Sequence, residues 1–173
     1  MKLITIGEAR FHCKAEGDDD ELLVVYCNAA ESLCARLANR SLFATSAEMT
    51  TAVATVATRM AAAYTAYDAA ILNAEAQDDE RVASMLKSAA QARLDAITTQ
   101  CEKDAHGLAL DAAPDAAGMS GADAIRAAIL LAVAHFYATR PTVITGQGAA
   151  AVEVPLGTND IMSLFRWTGP EYV

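Results

Sequence analysis

Between Gly17 and Gly107 the chain has no glycine, and it has no proline before Pro114. A tract of that length without either helix breaker excludes a loop-rich or all-β protein and leaves helix as the expected state. Aromatics are scarce at 6% of residues, with a single tryptophan. Positive charge is scarce too: 13 Lys and Arg stand against 22 Asp and Glu, a net charge of −9. That balance argues against binding along a nucleic-acid backbone, which needs clustered Lys and Arg, and against adhesion to anionic lipid. The four cysteines (Cys13, Cys27, Cys34, Cys101) form no CxxC pair. Cys27 and Cys34 lie two helical turns apart, too far for a bridge within one helix, so all four are expected reduced and partly buried. "MKLITIGEAR" has only a short apolar run before Glu8, so no signal peptide is expected.

What is present is helical punctuation. Thr5 with Glu8 has capping-box spacing and opens a short helix expected over about 6–14. In "EGDDDE", one of Asp18, Asp19 and Asp20 is expected to cap the next helix. Its stripe reads Leu22, Tyr26, Ala29, Leu33, Leu37, and Asn39 is placed to end it in the left-handed conformation. Thr45 with Glu48 forms a second capping box. Met49, Val53, Val56, Met60, Tyr64, Tyr67 and Ile71 then recur at helical spacing, and after the interruption "AEAQDDE" a further stripe runs Val82, Leu86, Leu94, Ile97, Cys101. This reads as an antiparallel helical hairpin with its tip near 77–79 and arms of about 28 residues, or ~40 Å. Two ordinary bundle helices folded over the core are the alternative. "GLALDAAPDAAGMSG" reads as a loop.

Ser120 with Asp123 is placed to cap a nearly apolar helix over about 122–139, "ADAIRAAILLAVAHFYAT", stopped by Pro141. Its apolar stripe is wide, so it is expected to be buried on more than one side. Broken by His135 and flanked by Arg126 and Arg140, its run is shorter than the ~20 apolar residues of a membrane span. "TVITGQGAAAVEVPLG" follows, read as an extended loop or β-hairpin arm. A last short helix is expected in "TNDIMSLFRW", capped by Thr158.

Chemistry finds little purchase. His135 has no Ser, Cys or carboxylate at i±3 or i±4, and His12, His106 and His135 share no metal-ligand spacing. A structural role in packed helices is expected for His135. "GDDDE" lacks the alternating ligands, internal Gly and distant Glu of a calcium loop. "GQG" around Gln147 is too short for a phosphate loop, and Glu75, Asp78, Asp79 and Glu80 read as a solvated tip. No catalytic residue, cofactor or metal site is expected, and the chain is not expected to be an enzyme.

Three blocks in order carry a resemblance: "LITIGEARFHCKAEGDDDELLVVYCNAAESLCARLANRSL", "ADAIRAAILLAVAHFYATRPTV" and "VEVPLGTNDIMSLFRW". Together they resemble the head–tail connector, or head-completion adaptor, family of tailed phages. The likeness covers roughly residues 1–44 and 120–167. The region 45–119 departs from the family pattern by its length. The resemblance implies a mainly α fold, with a connector-like helical core from 1–44 and 120–173 and an inserted hairpin and loop from 45–119. It implies a homo-oligomeric ring, commonly of twelve copies, under the portal protein. A downstream neck or tail-completion protein would attach to it, and DNA would pass through as cargo. An acidic channel lining suits that passage because it repels DNA. The expected location is the virion's head–tail junction, after assembly in host cytoplasm, without a membrane. Gly146, Gln147, Gly148, Val152, Glu153 and Val154 are the expected subunit-interface residues: the glycines permit a turning backbone, and Val152 and Val154 alternate with Glu153 as in an edge strand. Phe165, Trp167 and Tyr172 are the expected portal-docking residues, with coverage of the protein's own core as the alternative. A small helical phage-encoded regulator that binds a host protein is the rival functional reading.

Overall fold

A computed structural model describes residues 3–116, 118–139 and 155–169. Its helices, in chain order, are α1 (Ile6–Cys13), α2 (Asp20–Ala38), α3 (Ser46–Ala54), α4 (Val56–Glu75), α5 (Glu80–Ala105), α6 (Gly121–Thr139) and α7 (Leu156–Ser163). Two short strands, β1 (Leu42–Phe43) and β2 (Leu108–Ala109), pair in parallel with Leu42 opposite Leu108. The protein is thus mainly α, with a helical bundle core. It divides into two compact units, one of residues 1–48 with 108–173, the other of residues 49–107.

The first unit is built on α6. Ile125, Ala128, Ile129, Ala132 and Val133 are fully buried, and α1, α2 and α7 pack around them. At 19 residues, α6 is long and apolar enough to cross a membrane by length and composition. Length and composition therefore do not separate it from a span; 39% of that stretch is buried within the bundle. On α2 the buried face is Leu23, Cys27, Ala30, Leu33, Cys34 and Ala38. This is rotated by one position from the expected stripe, with Leu22 and Tyr26 only half-buried and Ala29 exposed. Small residues take the inner face because helices approach most closely there, and the long side chains splay to its edges. None of the four cysteines is in a disulfide.

The capping boxes form at both expected places. The Glu8 backbone N–H donates to Thr5 Oγ1 at 3.2 Å, and the Glu8 carboxylate accepts from the Thr5 N–H at 2.6 Å. Thr45 and Glu48 exchange the same bonds at 3.3 Å. Lys14 and Asn39 end α1 and α2 in the left-handed conformation, with φ of 51° and 52°. The acidic turn behaves differently from expectation. Gly17–Asp19 is a single 3₁₀ turn, and Asp19 at the head of α2 makes no side-chain cap bond. The Asp19 carboxylate instead accepts from the Tyr137 hydroxyl, and Asp20 pairs with Arg10. These acids tie α1 and α6 to the start of α2.

The strands were not legible as such. The segment read as a loop contains β2, and the backbone N–H of Leu108 donates to the Ser41 carbonyl at 2.9 Å. Asp111 then accepts from the Ser46 N–H at 2.8 Å and the Ser46 hydroxyl at 2.7 Å. Two points of the chain 65 residues apart are thereby fastened together. The start of α7 also differs. It begins at Leu156 after Pro155, and Thr158 does not cap it. Thr158 is fully buried, and its hydroxyl donates to the Ala128 carbonyl of α6 at 3.2 Å.

The second unit is dominated by α4 and α5. Arg59 pairs with Asp104 at 2.6 Å, and Glu75 with Lys87 at 3.5 Å. These two pairs, one at each end, define an antiparallel hairpin, and Asp79 caps α5 by accepting from the Arg81 and Val82 N–H groups. The first arm is broken at Thr55, whose hydroxyl donates to the Ala52 carbonyl at 2.7 Å and so competes with the helical ladder. The buried seam is Ala63, Ala74, Ala90, Leu94 and Cys101, with Tyr67 and Ala70 half-buried. Val53, Tyr64 and Val82, expected on the inner stripe, are exposed.

Candidate assembly interface

The expected subunit-interface residues Gly146, Gln147, Gly148, Val152, Glu153 and Val154, together with the extended arm they belong to, lie outside the described residues, as does Tyr172. Phe165 and Trp167 are described, and the chain places them differently from each other.

The placement starts from α7. With Thr158 bonded to α6, Met162 turns fully into the core and Phe165 follows one turn later, 4% exposed. Phe165 belongs to the bundle's own hydrophobic cluster. Its ring has no free face to offer a partner in this arrangement. Beyond it the backbone leaves the helix and runs along the end of α2. The Trp167 N–H donates to the Ala38 carbonyl at 2.9 Å, and Asn39 Nδ2 donates to the Trp167 carbonyl at 3.2 Å. Asn39 serves twice here: its backbone caps α2, and its side chain holds the C-terminal segment. Trp167 stays half-buried. Next to this seam, Arg40 Nε is buried without a hydrogen-bond partner among the described residues, and burial pulls the guanidinium's pKa down. The end of α2 thus brings Asn39, Arg40 and Trp167 together. In the sequence Trp167 and Asn39 stand out separately, one as an aromatic and the other as a helix terminator. Nothing in the pattern linked residues 128 positions apart.

His135 is half-buried on α6, its backbone carbonyl accepting from the Thr139 hydroxyl at 2.8 Å. Among the described residues no group of three or more His, Cys, Asp or Glu side chains is placed to hold a metal ion. Burial, with the nearby Glu31 charge adding to it, pushes the Cys34 thiol up to about 12. A thiol so placed stays protonated at neutral pH and is a poor nucleophile.

Two carboxyls give the first unit an acid-sensitive edge. The Thr5 N–H and hydroxyl hold Glu8 below its ordinary value of 4.5, and the Ser46 hydroxyl and N–H hold Asp111 below 3.8. A depressed folded-state pKa stabilises above the unfolded value and is lost as pH falls through the folded one. Thermal unfolding of the first unit is therefore expected to vary little from neutral pH to about pH 5 and to weaken below about pH 4. Glu8→Gln should flatten part of that acid slope while leaving the neutral-pH midpoint within a few degrees, about the effect of one exposed cap. An identical acid slope in wild type and variant would contradict this assignment.

Compared with protein-family models, curated proteins and solved structures, the chain matches none.

Proposed function

We propose that the protein is a structural virion component, a head–tail connector or adaptor that forms a ring beneath the portal and carries the next neck or tail protein. The observation that supports this most is how the resembling blocks fold. The described residues of 1–44 and 120–167, far apart in sequence, fall within one compact unit with a shared hydrophobic cluster. Most of the stretch that departs from the family pattern falls within the other, residues 49–107. An insertion into a connector core would divide the chain in this way. The pairing of β1 with β2 and the Ser46–Asp111 bonds fit that history, since they keep the two crossing points close. The lack of a nucleophile–base pair in the sequence and the net charge of −9 suit a scaffold whose channel passes DNA without gripping it.

On this reading, the half-buried Trp167 and the neighbouring Arg40 at the end of α2 are the described residues best placed to meet the portal. Trp and Arg are favoured anchors at protein interfaces. Co-sedimentation with the cognate portal tests the reading: the chain should pellet with portal particles and remain in the supernatant without them.

A further inference from the structure

The hairpin has a second, mostly apolar seam that stays exposed among the described residues. On α4 the buried seam runs Ala63, Tyr67, Ala70, Ala74, and on α5 it runs Leu86, Ala90, Leu94, Ile97. The positions one residue after the seam are mostly polar: Asp68 and Glu75 on α4; Lys87, Gln91 and Asp95 on α5. The Glu75–Lys87 pair and the Gln91–Asp95 hydrogen bond at 2.8 Å lie on this side. The positions one residue before the seam are Ala62, Ala66, Ala69 and Asn73 on α4, and Met85, Ala89, Arg93 and Ala96 on α5, with Val82 continuing the line, so all but Asn73 and Arg93 are apolar. All are exposed, Met85 by 69%. One residue is a rotation of about 100°. In an antiparallel pair the same rotation on both helices leads to the same side, so these two stripes form one face. The shallow groove between them is lined by Ala66, Ala70, Ala90 and Arg93. Spacings of three and four, as in Val82, Met85, Ala89, Arg93 and Ala96, are those of helices packed along their length.

We propose that this face is a self-association surface, on which the hairpin of a second copy packs to make a four-helix layer. Three observations favour a second copy as the occupant. First, the chain is strongly acidic, so two copies approach with least repulsion through a face that is nearly free of charge. Arg93 is the one charged residue on that line, and its aliphatic stem adds apolar cover to the groove it lines. Second, a flat stripe of small residues is self-complementary, as a two-fold contact requires. Third, the area suffices. Two helices about 10 Å wide and ~30 Å long offer ~600 Å² per copy, so a pair buries ~1,200 Å², the lower limit of specific interfaces. Half of the hairpin's own seam is alanine, so a second layer would add to its stability. The proposal rests on the hairpin alone and is independent of the connector reading.

The test is sedimentation equilibrium on the intact chain. At about 100 μM the wild type should approach twice its 18.1 kDa monomer mass or assemble further, and Ala89→Glu should weaken that association by about tenfold or more. Glutamate is a good helix former at this exposed position, so helical content should be unchanged. Gln91→Glu adds the same charge on the opposite face and should leave association as in the wild type. A wild type that stays monomeric overturns the proposal. So does an assembly that Ala89→Glu leaves intact, or one that both variants weaken alike.

Discussion

Ile129→Ala is expected to destabilise the first unit by about 3–4 kcal/mol, the range for emptying a fully packed aliphatic site. Ile129 is fully buried at the centre of α6, inside the cluster that α1, α2 and α7 complete. Lost transfer energy and a cavity that the close-packed alanines cannot collapse into both contribute. The chain supplies its own probe: Trp167 is the single tryptophan and is bonded to the end of α2. Its fluorescence in a denaturant titration therefore reports the unit that holds Ile129. Leu72→Ala, at a position 68% exposed on the hairpin, is the control and should shift the same transition by less than ~0.5 kcal/mol. A loss below about 1 kcal/mol for Ile129→Ala would mean that α6 is not the centre of the core.

The second large effect is expected at Gly121, the first residue of α6. An added Cβ there would lie 2.3 Å from the Pro114 carbonyl oxygen and 2.6 Å from that of Ala113. Both are backbone atoms, so the loop itself must move. Alanine ordinarily favours a helix over glycine by roughly 0.5–1 kcal/mol. The overlap outweighs that gain, and Gly121→Ala should cost about 2 kcal/mol or more. Gly17→Ala is the matched comparison, because a Cβ at Gly17 meets nothing within 4 Å. That variant should be neutral or slightly stabilising. If Gly121→Ala unfolds at the wild-type denaturant concentration, the loop at 113–114 does not press on α6 as described.

These two positions mark what the sequence could and could not reveal. Ile129 was legible, because a wide apolar stripe with helical spacing names its own core. The capping boxes at Thr5 and Thr45 and the terminator Asn39 were legible for the same reason: each is a local device within four residues. Gly121 was not, since its constraint comes from a loop carbonyl rather than from the helix pattern. The stripe on α2 lies one position from the expected one, and on α4 Tyr67 keeps its expected place while Ala63 and Ala70 take those of Tyr64 and Ile71. Large residues such as Tyr26 and Tyr64 drew the reading, while Ala30, Cys34, Ala63 and Ala74 form the inner faces. In an alanine-rich chain the smallest residues mark the contact, because they allow the closest approach. Thr158 had the look of a cap but is buried against α6, and Asp19 and Asp20 bond to Tyr137 and Arg10. Such partners lie far along the chain, where spacing carries no information. β1 and β2 are two residues each, too short for any alternation to register. Of the candidate contact residues, Trp167 was legible as an aromatic near the end of the chain. Its pairing with Asn39 depends on the fold.

The central claim concerns assembly on a portal, and electron microscopy of the chain mixed with its cognate portal tests it most directly. The account predicts a ring of copies coaxial with the portal, with its channel continuous with the portal's. Bare portals at saturating amounts of folded chain would contradict it.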